Sequence, residues 1–295
     1  MIEKKLKNIS VNMGKNDLIL EQHIHGAFGV DFNTAGVDEI LFLTKKLSER
    51  GIVAFFPTLV TDSIENIKHQ ISVIKEAAKK SHRILGIHLE GIFINPEKKG
   101  IHNPEHFMPL TVDNYKLIED DFIKIVTLAP ELDEGLIEYL HTKGIKVQAG
   151  HCTGWGDVDG VTHTFNTMPG ITHRNSSTTL SALVEDKVYT EIIADGVHVN
   201  DDALKLLFKS KPDDKVILIS DALPITASDL KETCFADSKI YYDGKKATSA
   251  NGTIAGSTML LDEIIERLKR IGLFKQEYIN NAWIYHGLNP EDFMI

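Results

Sequence analysis

The sequence predicts an α/β fold, a (β/α)8 barrel of the TIM type, with one large core. Three observations predict it. Eight apolar, β-branched runs recur along the 295 residues. Amphipathic helical patterns separate most of them, and strands alternating with helices imply a parallel sheet. Histidines and carboxylates collect at the C-terminal ends of these runs, where a barrel of this kind carries its active site.

The elements follow in order. "LILEQHIH" (18–25) reads as strand one, and "GVDEILFLTKKLSER" (36–50) as a helix apolar at period 3.6. "GIVAFF" (51–56) is strand two, followed by the amphipathic "SIENIKHQISVIKEAAKK" (63–80). "ILGIHLE" (84–90) and "FIKIVTL" (122–128) are strands three and four. "ELDEGLIEYLHTKG" is a helix closed by a glycine C-cap at Gly144. "IKVQAGH" (145–151) and "GVTHTF" (160–165) are strands five and six. Only residues 152–162 lie between His151 and His163, and "CTGWGDVDGVT" is rich in Gly and Asp. The helix expected there is missing or reduced to a turn. "VYTEIIAD" (188–195) is strand seven, and "NDDALKLLFKS" opens a helix at Asn200, a favoured N-cap. "VILISD" (216–221) is strand eight. The Asp-Gly and Asn-Gly pairs of "KIYYDGKKATSANGTIAGS" mark a hairpin excursion. "STMLLDEIIERLKRIG" (257–272) is the last large helix, and "KQEYINNAWIYHG" a shorter closing one.

Composition narrows the partners. Apolar residues make up 42% and charged residues 25%, ordinary for a globular protein. The net charge of −10 disfavours nucleic acid and anionic membranes, which leaves a small molecule as the expected partner. The two cysteines, Cys152 and Cys234, provide no disulfide framework, which points to a reducing compartment. "MIEKKLKNISVNMGKNDLIL" has no apolar core of signal-peptide length, and no segment is long and apolar enough for a membrane span. A cytoplasmic location is expected.

"LGIHLEG" (85–91) places Glu90 in an apolar run. A buried carboxylate is costly unless something positive meets it. Other strand ends offer candidates. His23 and His25 share one face of strand one by alternation. Strand five ends at His151, strand six carries His163, "DGVH" brings His198, and strand eight ends at Asp221. Singly, each has a plain reading: a strand-end His is commonly a hydrogen-bonded loop residue, and a terminal Asp commonly caps or turns. His69, His82, His106 and His141 fall in helical or loop contexts and read as surface residues. His88 shares the face of Glu90 and is either a core histidine or a partner behind the ligands. Cys152 reads as a small packing residue. The shared placement at one end of the barrel is what strengthens the set.

"HIHG", "GIHLEGIFINPEKKGIHNPEH", "TLAPE", "AGHCT", "THTFNTM", "IIADGVHV", "ISDAL" and "IAGST" occur in that order, roughly between residues 18 and 288. Together they resemble the N-acetylglucosamine-6-phosphate deacetylase family of the metal-dependent amidohydrolase superfamily. The resemblance implies hydrolytic release of acetate from N-acetyl-D-glucosamine 6-phosphate, with metal-activated water as nucleophile. It implies Glu90, His151 and His163 as metal ligands, with His23 and His25 for a second ion bridged by Glu90. His and carboxylate ligands accept zinc, iron, manganese or cobalt, as one or two ions per subunit. It implies Asp221 as the acid/base that takes a proton from water and returns one to the leaving amine. His198 and His102 map to substrate-binding histidines, and Asn166, the Thr167 backbone and Arg174 to phosphate contacts. Read alone, Arg174 is a solvated loop cation. In the family this Arg can come from the neighbouring subunit, which implies a homodimer.

The chain also departs from the family. The accessory β-sandwich is expected to be small or absent, leaving residues 1–17 as an extension or vestigial strand and 18–295 as the barrel. Glu21 stands where the superfamily has Asp, "GIF" replaces "GPF", and "HRNSS" replaces a "REPG"-like turn. Two other readings stay open: an amidohydrolase for a different N-acyl sugar or sugar phosphate, and a non-catalytic barrel that binds an amino-sugar phosphate. Asp221 argues against the second, since a binder needs no proton shuttle.

Overall fold

The computed structural model describes residues 18–293. The expected extension or vestigial strand at 1–17 lies outside the described residues. Eight parallel strands pair in chain order: β1 (Ile19–Ile24), β2 (Ile52–Leu59), β3 (Ile87–Glu90), β4 (Ile123–Leu128), β5 (Lys146–Ala149), β6 (Gly160–Val161), β7 (Tyr189–Ile193) and β8 (Val216–Ile219). Their near-continuous apolar character fits a parallel sheet covered on both faces.

The first and last strands close the barrel through one bridge, Ile24 to Ala222. Around it, His25 N–H donates to Ala222 O at 2.9 Å and Asp221 N–H to His23 O at 2.9 Å. Glu21 clasps this seam. Its carboxylate accepts from the backbone N–H of His23 (3.0 Å) and of Ser220 (2.9 Å). Burial pushes that carboxyl up to about 8 against those hydrogen bonds. Glu21 therefore holds the ends of two strands together, where sequence alone gave it no role.

Among the described residues eight α-helices cover or close the barrel: α1 (Val37–Ser48), α2 (Ile64–Ala78), α3 (Val112–Tyr115), α4 (Leu136–Thr142), α5 (Thr178–Val184), α6 (Asp201–Ser210), α7 (Leu261–Arg270) and α8 (Glu277–His286). The predicted caps are present. Asn200 Oδ1 accepts from Asp202 N and Ala203 N, and Gly144 takes φ 69° just past α4. No helix joins β5 to β6. α8 ties the chain's end to its start: Trp283 Nε1 donates to Leu18 O at 2.9 Å, and Asn281 Nδ2 to Val216 O at 2.7 Å.

Two strands differ from their predicted bounds for local reasons. β2 continues past Pro57 to Leu59. Proline brings no N–H to the ladder, and here the Thr58 hydroxyl accepts from Ile24 N–H at 3.0 Å. β6 stops after two residues because His163 and Phe165 turn to φ 31° and 80°.

After β8 the chain forms an antiparallel meander, β9 (Glu232–Phe235), β10 (Ser238–Tyr242) and β11 (Ala247–Ser249). Asp243-Gly244 and Asn251-Gly252 turn as predicted. The first turn is Ala236-Asp237, with φ 50° and 59°, a conformation in which glycine or asparagine is usual. The meander packs a second small core of Leu223, Ile225, Phe235, Ile240, Ala247 and Ala255 on Val60. No accessory β-sandwich occurs among the described residues. No helix among them is long and apolar enough to cross a membrane.

Candidate metal centre

The C-terminal strand ends meet in a cavity of about 210 Å³. His25, Glu90, His102, His151, His163, Asn166, Thr167, His198 and Asp221 line it, with Val60, Ile101, Phe235 and Ile254 as apolar wall. His23 is fully buried just behind. The structure thus gathers the predicted residues with one exception. Arg174 sits on an exposed loop outside the cavity, paired with the neighbouring His173 at 3.1 Å.

Glu90 is the centre. Its Oε1 lies 3.2 Å from His151 Nε2 and 2.9 Å from His163 Nε2. Its Oε2 lies 2.9 Å from His25 Nε2 and 3.3 Å from His23 Nε2. Asp221 Oδ1 closes the second pair, 3.2 Å from His25 and 3.4 Å from His23. One carboxylate therefore faces two histidine pairs, one through each oxygen. Burial pushes Glu90 up, but His23 and the hydrogen bonds of His151 and His163 hold it well below the usual carboxylate range. Burial likewise raises Asp221, and His23 and His25 outweigh it, so this carboxyl is also held low.

The donor set fits a divalent cation. Two ligands of one tetrahedral zinc, each about 2.1 Å from it, lie about 3.4 Å apart. The contacts around Glu90 and Asp221 are close to that spacing. His23, His25, Glu90 and Asp221 present their ligand atoms within 4.8 Å of one another. His23 Nε2 is buried without a hydrogen-bond partner. Without an ion, burial pushes His25 down, but Asp221 and Glu90 raise it to about 9. Protons there stand in for a cation's charge.

Outer partners sort the histidines. His25 Nδ1 meets Thr58 O at 3.2 Å and His151 Nδ1 meets Lys98 O at 2.9 Å. A carbonyl only accepts, so Nδ1 carries the proton and Nε2 turns inward as a ligand atom. His102 is the exception. Its Nδ1 lies 2.7 Å from Thr61 Oγ1, and that hydroxyl already accepts from Ile92 N–H at 2.9 Å. The hydroxyl proton has no other acceptor among the described contacts, so it points to Nδ1. His102 then presents Nε2–H to the cavity, a donor where Glu90 and His151 are near enough to suggest another cation. Gly91 permits this packing: at φ 115°, a Cβ there would stand 2.0 Å from Thr61 Oγ1. His198 is held at both nitrogens by acceptors, Asp195 Oδ2 at 2.8 Å and Ala255 O at 2.9 Å. Burial lowers it, and Asp195 outweighs burial and raises it.

His88 is a core residue. Nδ1 donates to Gln22 O at 3.0 Å, and Nε2 accepts from Thr127 Oγ1 at 2.7 Å. Burial and the neighbouring His23 push it down to about 3, so it stays neutral. Sequence reasoning missed Thr61, Asp195, Glu191 and Phe235, whose ring centroid lies 5.0 Å from that of His25. Glu191 carried a readable signal, a carboxylate inside the apolar run "YTEII".

No family model matches the chain. It is 31% identical over 287 residues to the N-acetylglucosamine-6-phosphate deacetylase of Bacillus subtilis, covering 90% of this chain and 70% of that one. It is 26% identical over 284 residues to the N-acetylgalactosamine-6-phosphate deacetylase of Escherichia coli O157:H7, covering 90% and 75%. Among solved structures, the N-acetylglucosamine-6-phosphate deacetylase of Thermotoga maritima superposes with a TM-score of 0.85 at 26% identity, covering 92% of this chain and 78% of that one. The Pasteurella multocida enzyme of the same name gives 0.84 at 25% identity, covering 92% and 76%.

Proposed function

The chain belongs to the N-acetylglucosamine-6-phosphate deacetylase family, and from that premise we propose how its own residues carry the reaction. It is a metal-dependent amidohydrolase that removes acetate from N-acetyl-D-glucosamine 6-phosphate and leaves D-glucosamine 6-phosphate. The carrying observation is Glu90, whose two oxygens divide between His151/His163 and His23/His25. We assign residues 18–295 to this one hydrolase barrel, 1–17 to an N-terminal extension or vestigial strand, and the protein to the cytoplasm.

Glu90, His151 and His163 would hold one divalent ion, and His23 and His25 with Glu90 would hold a second where two ions bind. Zinc, iron, manganese and cobalt all suit this donor set. Such an ion supplies Lewis-acid polarisation of the acetamide carbonyl and acidifies water. Asp221, kept ionised, accepts a proton from the attacking water at its carboxylate and gives one to the departing amine. A free amide anion is too basic to leave without it. His102 offers its Nε2–H to the acetyl end of the substrate. His198 borders the sugar, and Asn166 and the Thr167 backbone bind its phosphate. Among the described residues no Lys or Arg lines the cavity. Arg174 of a second subunit completes the phosphate site, because guanidinium binds phosphate in bidentate fashion.

A direct assay decides the reading. Purified, metal-loaded protein is offered N-acetylglucosamine 6-phosphate, its galacto epimer and unphosphorylated N-acetylglucosamine. Acetate release from the first is expected, far above the last. No acetate from any of them, with bound metal verified, would remove the reading and leave a binding barrel. The E. coli relative motivates the epimer arm, and faster turnover of the galacto compound would reassign the substrate within the same chemistry.

A further inference from the structure

Glu191 is a fully buried carboxylate on β7 that the proposed chemistry does not use. Its Oε2 accepts from His23 Nδ1 at 3.2 Å and from His163 N–H at 3.3 Å. Its Oε1 accepts from Gln22 Nε2 at 2.6 Å. Gln22 Oε1 in turn accepts from His286 Nε2 on α8 at 3.2 Å. Every donor direction in this chain converges on Glu191. His23, His88 and Glu191 are close enough to be read as a cation site of their own. They do not form one, because both His88 nitrogens are committed to Gln22 O and Thr127.

What Glu191 does is fix His23. With its proton held on Nδ1, His23 must turn its free Nε2 lone pair toward Glu90 and Asp221. That Nε2 is the buried nitrogen without a hydrogen-bond partner. His25 and His151 rest on neutral carbonyls, and His163 Nδ1 has no hydrogen-bond partner. His23 alone among the four rests on a carboxylate, which raises imidazole basicity toward a metal. We propose that Glu191 is the positioning residue of the second ion, acting through His23 and anchored by Gln22 and α8. The proposal rests on the reading that His23 and His25 hold an ion.

The test strips metal from the full-length protein and titrates it with Co(II), following the visible d–d absorption and the bound metal by elemental analysis. Wild type is expected to take two equivalents. Glu191→Gln removes the charge, and Glu191→Asp keeps it but draws the acceptor back. Both are expected to take the first equivalent as wild type does and the second about 10–100-fold more weakly. If one variant fails to fold, judged by its thermal transition, the other decides. Unchanged affinity for the second equivalent would overturn the proposal. Equal weakening of both ions would assign Glu191 to fold integrity and overturn it too. A wild type that takes one equivalent would fail the two-ion reading itself, and the proposal with it, before any variant is compared.

Discussion

Asp221, His151 and His163 leave their strands with φ of 52°, 49° and 31°. Non-glycine residues rarely adopt this region, and each such residue costs on the order of 1–3 kcal/mol. The backbone around them is fixed from both sides: Asp221 donates to His23 O and accepts from Ser257 N–H at 2.7 Å. These turns swing the side chains off the pleat and into one mouth. Asp221→Asn is expected to cut kcat by about 10²–10⁴ while calorimetric binding of the sugar phosphate persists; wild-type turnover would reject its proton role. Thr61→Val frees the His102 tautomer, so kcat is expected to fall about 10–100-fold with little change in KM. Thr61→Ser should restore it, and a Ser variant as slow as Val would mean that Thr61 only packs. The candidate ligands were legible because polar side chains ending apolar runs are conspicuous. Their outer partners were not. A lone threonine in "TLVTDS" or a glutamate in "YTEII" takes on meaning only through a strand distant in sequence.

Elements were read more fully than their ends. All eight apolar runs are strands, since a buried parallel strand announces itself by β-branched content. The missing helix between β5 and β6 was visible as a shortage of residues. The bounds of β2 and β6 were not, because a hydroxyl standing in for a ladder acceptor and a positive φ leave no pattern. α8 carries a consequence of its own. Burial pushes His286 down to about 3, with Lys146 and His88 in the same direction and Glu191 opposing. An unfolded histidine titrates near ~6.5. Between about pH 6.5 and 3 the unfolded chain therefore binds a proton that the folded chain refuses. Stability is expected to fall as pH drops through that window, by about 1.4 kcal/mol per unit from this group. His88 adds a loss of the same sign. His286→Gln keeps a donor for Gln22 and should flatten the slope in denaturant titrations at pH 7, 5.5 and 4.5. An unchanged slope would place the acid sensitivity elsewhere.

At the scale of the whole molecule the site needs positive charge that the described residues lining it do not supply. The substrate carries a phosphate dianion into a protein of net charge −10. Among the described residues no Lys or Arg lines the cavity, His198 is paired with Asp195 at 2.8 Å, and Arg174 stands on a loop outside it. Losing one charge-assisted phosphate contact weakens binding by about 1.5–3 kcal/mol. Arg174→Ala is thus expected to raise KM for the phosphorylated sugar about 10–100-fold and to leave the slow reaction of unphosphorylated N-acetylglucosamine unchanged. A closed two-fold dimer would let each subunit serve its neighbour, and complementation tests this directly. Arg174→Ala and Asp221→Asn are each expected to be nearly inactive at low substrate. Mixed one to one with subunit exchange, half the dimers are hybrids. In each hybrid one site unites an intact Asp221 with Arg174 of the partner subunit. Activity should then recover to about a quarter of wild type. If Arg174 serves its own subunit, no hybrid contains a complete site and mixing recovers nothing.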